Sequence, residues 1–558
     1  MKTFSNYDRQ DKFKELNQVE WDLLVVGGGI TGAGIALDAA SRGMKTAVVE
    51  MQDYAAGTSS RSTKLVHGGL RYLKQFEIKM VAEVGKEREI VYENGPHVTT
   101  PEWMMLPFHE GGNFGPYSTS LGLRVYDYLA GVKKAERRLM FKPDETLKRE
   151  PLVKKEGLKG AGYYVEYKTD DARLTLEVMK KAVEFGAQSV NYAKVVDFVY
   201  NNSGKIEGAI VEDTISGETY QVKAKRVVNA GGPWVDELRE IDGSKKGKSL
   251  HHTKGVHLVF DQSDFPLQQA IYFDTPDGRM IFAIPRDGKT YVGTTDTTFT
   301  EDLAVPQVTT TDRDYILNAI HMMFPSVKVG PQNIESSWAG VRPLIHEDGK
   351  DPSEISRKDE IFVSDSGLIS MAGGKLTGYR KMAETSVNLV RDQIAEEYGI
   401  RYSDSETKRM PISGGEVNGS KGFKVFKEER VKIGESLGLT TKKAGELVNL
   451  YGANIDTLYS LFKKHKEDAV AAGIDPLVFA QLRMALEYEM IFKPVDFFVR
   501  RTAALFFNIK WVHEHKEPVI DYMAKELKWT DKHKQQYTEE LERLLNEAVN
   551  PVKAEGVS

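Results

Sequence analysis

The sequence predicts an α/β fold that opens on a parallel βαβ unit, continues through a strand-rich centre and ends in an all-α region. Three observations carry this. Residues 21–26 form a short apolar run, the kind a strand covered on both faces needs, and they run straight into glycines. Between residues 253 and 362 strand-like runs alternate with turns at Pro276-Asp277-Gly278 and Arg286-Asp287-Gly288. Residues 424–548 carry a charged, helix-periodic pattern with few breakers.

Taken in order, residues 30–42 read as a helix closed by Gly43, and residues 45–50 as a second strand. With residues 21–26 they make a unit of about thirty residues, the size of a right-handed βαβ crossover. Residues 75–94 alternate apolar and charged side chains at helical spacing until Gly95-Pro96 stops them. Residues 101–108 look extended, and 118–130 and 173–185 helical. Three strand-like runs follow, broken at Asn201-Asn202-Ser203-Gly204 and Ser216-Gly217, which suggests a small meander. Residues 226–230 then read as another buried strand entering glycines, and 312–324 as a helix.

At 558 residues the chain is too long for one hydrophobic core. Its 76 Lys and Arg against 81 Asp and Glu give a net charge of -5, so nothing global attracts nucleic acid. An anionic substrate would need its counter-charges gathered locally. The absence of cysteine excludes disulfides, thiolate nucleophiles, Cys-ligated zinc, iron–sulfur clusters and Cys-linked flavin. Residues 1–20 are charged and lack the apolar core of a secretory signal, and no run of about eighteen apolar residues occurs. A cytoplasmic protein is expected, with peripheral contact at the inner face of the cell membrane left open.

Gly27-Gly28-Gly29-Ile30-Thr31-Gly32 satisfies G-x-G-x-x-G. The pattern alone is weak, but here a strand precedes it, a helix follows, and Glu50 closes the second strand about eighteen residues beyond Gly32. Gly27 permits the tight turn, Gly29 the approach of a pyrophosphate, and Gly32 close packing of helix on strand. The phosphates would meet free N–H groups at a helix start. Glu50 would accept hydrogen bonds from a ribose diol and repel a 2′-phosphate. A dinucleotide site follows. A nicotinamide enzyme would continue with further βα units, whereas here the second strand enters a long polar loop over residues 57–69. That loop suits a flavin. No second G-x-G-x-x-G occurs, and without cysteine a flavin disulfide reductase is out, so a substrate must reduce the flavin directly.

The sequence resembles the FAD-dependent glycerol-3-phosphate dehydrogenases of the aerobic, bacterial type, from about Trp21 through the C-terminal helices. The resemblance is carried by Gly27 to Gly34, Thr58-Ser59-Ser60, Lys64-Leu65-Val66-His67-Gly68-Gly69-Leu70-Arg71-Tyr72-Leu73 and Asp170-Asp171-Ala172-Arg173-Leu174. Further on it is carried by Asn229-Ala230-Gly231-Gly232-Pro233-Trp234, Lys254-Gly255-Val256-His257, Gly293-Thr294-Thr295-Asp296, Gly340-Val341-Arg342-Pro343-Leu344 and Gly373-Gly374-Lys375-Leu376-Thr377.

The resemblance implies a glutathione-reductase-type FAD-binding Rossmann domain from residues 20–74, 160–240 and 361–395. It implies an antiparallel-sheet substrate domain from 75–159 and 241–360, and an all-α domain from 405–558. It also implies oxidation of glycerol 3-phosphate to dihydroxyacetone phosphate, with electrons passing to a quinone or respiratory acceptor. An oxidase branch that uses oxygen typically has a mid-chain insertion, and no surplus segment is evident here. A homodimer is compatible with the sequence.

Hydride transfer to flavin N5 needs the alcohol carbon against the ring and a base for the hydroxyl proton. A dianionic phosphate needs fixed cations, for which the planar fork of Arg is favoured. Arg71, Arg342 and Lys375 stand out from their settings: beside the polar loop, in an apolar stretch, and in a glycine-rich turn before a helix. Arg357 lies in a polar run, where an ordinary surface arginine is the plainer reading. By resemblance Arg71, Tyr72, Arg342, Arg357, Lys375 and His257 line the substrate pocket. His257 is the leading base because imidazole titrates near working pH. The alternative leaves the proton to water and has Arg342 stabilise the alkoxide.

The expected FAD ligands are Gly27, Gly29, Ile30, Thr31, Gly32, Glu50, Thr58, Ser59, Ser60, Lys64, Leu65, His67, Gly68 and Gly69. Ala230, Gly231, Trp234, Gly374, Lys375, Leu376 and Thr377 complete them. No metal site is expected, because the adjacent His251 and His252 of a strand point to opposite faces. An FAD amine or hydroxy-acid oxidase of the same fold would have little use for these cations. A non-catalytic flavin sensor would carry a flavin that no metabolite bleaches.

Overall fold

In the computed structural model, residues 3–67, 78–112, 115–129, 136–347 and 359–553 are described. Strand Trp21–Val26 is buried along its whole length and runs into the glycines, and helix Ile30–Ser41 leaves them. The strand pairs in parallel with Thr46–Glu50 on one side and Thr219–Asn229 on the other. The turn between strand and helix is very tight. Gly27 has φ +116°, and a Cβ there would stand 2.4 Å from the Ala230 carbonyl oxygen. A Cβ on Gly32 would stand 1.9 Å from the carbonyl oxygen of Gly27, so helix and turn touch backbone to backbone.

The first sheet runs Glu360–Val363, Ile369–Ala372, Thr219–Asn229, Trp21–Val26, Thr46–Glu50 and Gln188–Asn191. Helix Ile30–Ser41 packs against helices Asp171–Glu184 and Tyr379–Tyr398. The expected meander is present as Ala193–Tyr200, Ile206–Asp213 and the start of Thr219–Asn229. Its third strand and the buried strand expected at residues 226–230 are one element. Up to Lys223 this strand pairs antiparallel with Ile206–Asp213, and from Ala224 it pairs in parallel with Trp21–Val26. Alternating exposure in its first half gives way to burial at its end, because only the second half is covered on both faces.

The second sheet runs Thr297–Thr298, Lys248–Asp261, Lys289–Gly293, Met280–Arg286, Ala270–Asp274, Thr99–His109, Leu158–Thr169 and Leu65–Val66. Ile334–Glu347 pairs along Lys248–Asp261, and Leu139–Phe141 along Leu158–Thr169. One register row crosses this sheet through Tyr272, Phe282, Gly293, His257 and Trp338.

Two sequence expectations need correction, and a third is extended. Leu158–Thr169 belongs to the second sheet, so residues 160–169 lie outside the dinucleotide-binding unit to which the 160–240 boundary gave them. The polar loop at residues 57–69 contains a 3-10 turn, Thr58–Ser60, and a two-residue strand, Leu65–Val66, that pairs with Lys168 and Tyr167. The C-terminal helices keep a core of their own around Leu447, Ile455 and Leu458, and they also dock on the second sheet. Leu482, Phe497, Phe506 and Leu541 share one core with Met104, Tyr291 and Trp338 of the second sheet. The charged outer faces of these helices gave no sign that part of their apolar surface is buried against the sheet. Helix Arg9–Gln18 buries Phe13 and Leu16 in the core around the first sheet. Among the described residues no helix is long and apolar enough to cross a membrane.

His97 lies between these layers, 2% exposed, with neither ring nitrogen hydrogen-bonded. Burial, with Lys180 and Arg173 nearby, pushes its ring from 6.5 down to about 3. Below about pH 6.5 the unfolded chain binds a proton that the native state refuses. The stability contributed by neutral His97 is therefore complete above that pH and is lost as the pH falls towards 3.

Two outcomes are expected. Gly32→Ala forces the helix off the turn and destabilises the protein by about 1–3 kcal/mol or more, read as a lower thermal midpoint. His97→Leu flattens the acid limb, so between about pH 7 and about pH 5 the midpoint falls less than in wild type. An equal fall in both proteins would assign the acid sensitivity elsewhere.

Candidate functional site

A cavity of about 760 Å³ runs between the two sheets. One end is the glycine turn. Gly27, Gly29, Ile30 and Thr31 line it, so the leading end of helix Ile30–Ser41 faces the space. Ser59 supports that end by accepting a hydrogen bond from the Ile30 N–H through Oγ, at 3.0 Å. Glu50 lines the cavity at the end of its strand. Burial pushes its carboxyl up, against the lowering effect of N–H donation from Gln52 at 2.8 Å and Gly28 at 2.6 Å. Ala193, Lys194, Val195 and Val196 continue the wall, with Glu237 and Ile241 opposite. None of these six was expected from the sequence, because neither the alternating strand Ala193–Tyr200 nor the short helix Val235–Ile241 carries a local mark of a ligand.

Thr58, Ala230, Gly231 and Trp234 line the middle of the cavity. Asn229 fixes this turn, donating to the Val235 carbonyl at 2.9 Å and accepting from the Gly231 N–H at 3.1 Å. Gly374, Lys375, Leu376, Thr377, Leu65 and His67 also line it, and Thr377 Oγ1 donates to the His67 carbonyl at 3.0 Å. Three expected cofactor ligands stand behind the wall instead. Gly32 is spent on packing against Gly27. Ser60 is 1% exposed. The Lys64 ammonium is committed to Asp171 at 2.7 Å and to the Ser60 carbonyl at 2.9 Å. Gly68, Gly69, Arg71, Tyr72 and Arg357 lie outside the described residues.

His257 and Arg342 line the cavity together with Lys375. His257 is 1% exposed, and its ring stacks on Trp338 at 4.7 Å between centroids. Its Nε2 is 3.1 Å from Thr63 Oγ1, while Nδ1 is buried without a partner. Gly293 lies opposite, where a Cβ would stand 2.3 Å from the imidazole. Burial, then Arg342 and Lys64, hold His257 well below its ordinary range. The ring is neutral at neutral pH. Arg342 reaches over Gly255, two residues from His257 on the same strand face, so its guanidinium and the imidazole are neighbours. Thr294 Oγ1 at 3.0 Å, the Thr295 carbonyl at 3.2 Å and Asp296 at 3.3 Å hold that guanidinium. Lys375 counters the effect of burial on Asp359, whose carboxyl is nonetheless raised by desolvation.

The sequence reading did not single out Glu166, Tyr164 or Arg61, all of which line the cavity. Glu166 pairs with Arg88 at 3.1 Å. An acid inside the apolar run Tyr163-Tyr164-Val165-Glu166-Tyr167 needs a partner, and that was the available signal. Arg61 donates to the Ala304 carbonyl at 3.2 Å, and burial pushes it down to about 10.

The cavity fits a flavin dinucleotide. Its glycine cradle is one that a Cβ at Gly27 would close. A helix start suits the pyrophosphate, a strand-end carboxylate suits a ribose, and the far end is wide enough to be shared by both sheets.

Comparison with known proteins agrees. A family model described as FAD dependent oxidoreductase matches residues 22–380, and one described as the C-terminal domain of alpha-glycerophosphate oxidase matches residues 405–534. The aerobic glycerol-3-phosphate dehydrogenase of Bacillus subtilis is 61% identical over 549 residues, covering 98% of this chain and 99% of its own. That of Staphylococcus aureus is 56% identical over 545 residues, 98% of each chain. The crystal structure of the glycerol-3-phosphate dehydrogenase from Bacillus halodurans, complexed with FAD, superposes with a TM-score of 0.85 at 50% identity, covering 99% of both chains. The glycerophosphate oxidase of Mycoplasma pneumoniae, at 18% identity and a TM-score of 0.56, shares the fold. With the glycine cradle, the helix start and the strand-end carboxylate all in place around the cavity, the chain belongs to the FAD dependent oxidoreductases and is an FAD-dependent enzyme.

Proposed function

We propose that this enzyme oxidises sn-glycerol 3-phosphate to dihydroxyacetone phosphate and passes the electrons to a membrane quinone. One observation carries the reading. A neutral, buried imidazole and a held guanidinium are neighbours at the end of the cavity remote from the glycine turn, and Lys375 lines the same space. The printed names of the relatives at 56–61% identity support the same substrate.

FAD, when bound, supplies the two-electron acceptor for the hydride that leaves the alcohol carbon. The remaining work falls to the chain. His257 takes the hydroxyl proton, and its neutral state at neutral pH is the state that can do so. Stacking on Trp338 and the Thr63 contact fix the plane of the ring. Arg342 and Lys375 supply positive charge for the phosphate dianion and the forming alkoxide. A bound dianion opposes the cations that depress His257, so substrate binding itself raises the basicity of the ring. Asp296, Thr294 and Thr295 keep the Arg342 fork in place.

For the second electron step, the description of the C-terminal family model favours oxygen as the other reading. Oxygen uptake measured beside quinone reduction distinguishes the two. Vesicle binding tests whether the enzyme works from the inner face of the membrane.

Glycerol 3-phosphate added anaerobically is expected to bleach the flavin, while glycerol and glycine leave it oxidised. A flavin indifferent to glycerol 3-phosphate would sink the reading. Arg342→Ala is expected to lower kcat/KM by about 2–4 kcal/mol, and wild-type kinetics would remove Arg342 from the site.

A further inference from the structure

Behind the glycine turn lies a buried cluster of charges that the chemistry above does not use. Asp53 is fully buried. Its Oδ2 accepts from Arg501 Nη1 at 2.6 Å and Arg500 Nε at 2.5 Å, and its Oδ1 from Arg501 Nη2 at 2.9 Å and Asn191 at 3.0 Å. Both arginines come from the single turn Asp496–Arg501 in the C-terminal region. Arg500 also pairs with Asp496 at 2.5 Å, and Arg501 donates to the Glu489 carbonyl at 2.6 and 3.0 Å. Two acids face two arginines, so the cluster is neutral. Burial alone would raise the Asp53 carboxyl, and Arg501 and Arg500 together hold it below its ordinary value.

Asp53 sits in the segment that grips the glycine turn from beneath. Glu50 Oε2 accepts from the Gly28 N–H at 2.6 Å, and the Ala55 N–H donates to the Gly28 carbonyl at 3.1 Å. The Tyr54 ring lies under Gly28, where a Cβ would stand 2.6 Å from it. Both polar groups of the Gly28 peptide are thus held by residues flanking Asp53, and Asp53 is held by the C-terminal region. Neither Arg500 nor Arg501 lines the cavity.

We propose that Arg500 and Arg501 are positioning residues of the dinucleotide site. By clamping Asp53 they hold the Gly28 peptide in the shape that receives FAD, so the cofactor and the docked C-terminal turn stabilise each other. The coupling is reciprocal: what fixes the turn favours FAD, and FAD fixes the turn.

Wild-type protein tests this without any substitution. Hydrogen exchange is compared in FAD-loaded and FAD-stripped protein at Asp496–Arg501 and at helix Ile455–Lys464, which belongs to a separate C-terminal cluster. Removal of FAD is expected to speed exchange at the first segment and to leave the second unchanged. Equal acceleration at both, or none at the first, overturns the proposal. Two variants sharpen the test. Arg501→Lys keeps the charge but loses the fork, and is expected to raise the Kd for FAD about tenfold or more. Leu458→Ala weakens the C-terminal helices' own core and is expected to lower the thermal midpoint while keeping the wild-type Kd. A wild-type Kd in Arg501→Lys, or the same rise in both variants, also overturns the proposal.

Discussion

Helix Ile30–Ser41 can begin where it does only because Gly27 and Gly32 present bare backbone to one another. Everything else at the dinucleotide end follows from that contact. It brings the helix start to the edge of the sheet, so that Ile30 and Thr31 face the cavity. It brings the Ala230 carbonyl within reach of the turn, which ties Thr219–Asn229 to Trp21–Val26 at the height of the ligand. A side chain at either glycine would move the helix, and with it the partial positive charge that a pyrophosphate requires.

The far end of the cavity obeys an electrostatic constraint instead. In a chain of net charge -5, Arg342 and Lys375 line one cavity together with acids such as Glu166 and Asp296, and cations there are costly unless balanced. Asp296 pairs with Arg342, and Lys375 lies near enough to Asp359 to favour its charged form. Lys64 is different: Asp171 compensates it, and it acts on His257 through space from behind the wall.

What the sequence disclosed follows from the range of the forces involved. The glycine turn, Glu50, the turn at Asn229 to Trp234 and the run Gly374 to Thr377 were legible because close backbone approach leaves glycines in the chain itself. His257 and Arg342 were legible only through resemblance, since a lone His or Arg carries no local mark of its neighbours. Nothing near Lys64 in sequence shows that its ammonium pairs with Asp171. The edge between the two units at residue 160 came from the resemblance, which says nothing of how Leu158–Thr169 pairs. Pairing with Thr99–His109, which no local pattern announces, decides its sheet. The docking of the C-terminal helices was hidden too, because their apolar faces read equally well as the core of a separate body.

That docking changes how the C-terminal region should be understood. Tyr291 and Trp338 form the back of the His257 site, and Phe506 and Phe507 of the C-terminal region pack against them at 5.1–5.8 Å between ring centroids. Ser336 also donates to the Phe506 carbonyl, and Ser337 to that of Ala548 at 2.8 Å. The stacked imidazole is therefore held in its plane by a layer whose other face is C-terminal. The same region reaches the opposite end of the cavity through Arg500 and Arg501. An independent helical cap would touch one rim of the site. This one packs behind His257 through Trp338 at one end and holds Asp53 beside the glycine turn at the other, so the helices are part of the frame that spans the cavity. Core packing transmits displacement rather than absorbing it, and a shift of the C-terminal region would have to be felt at both ends together.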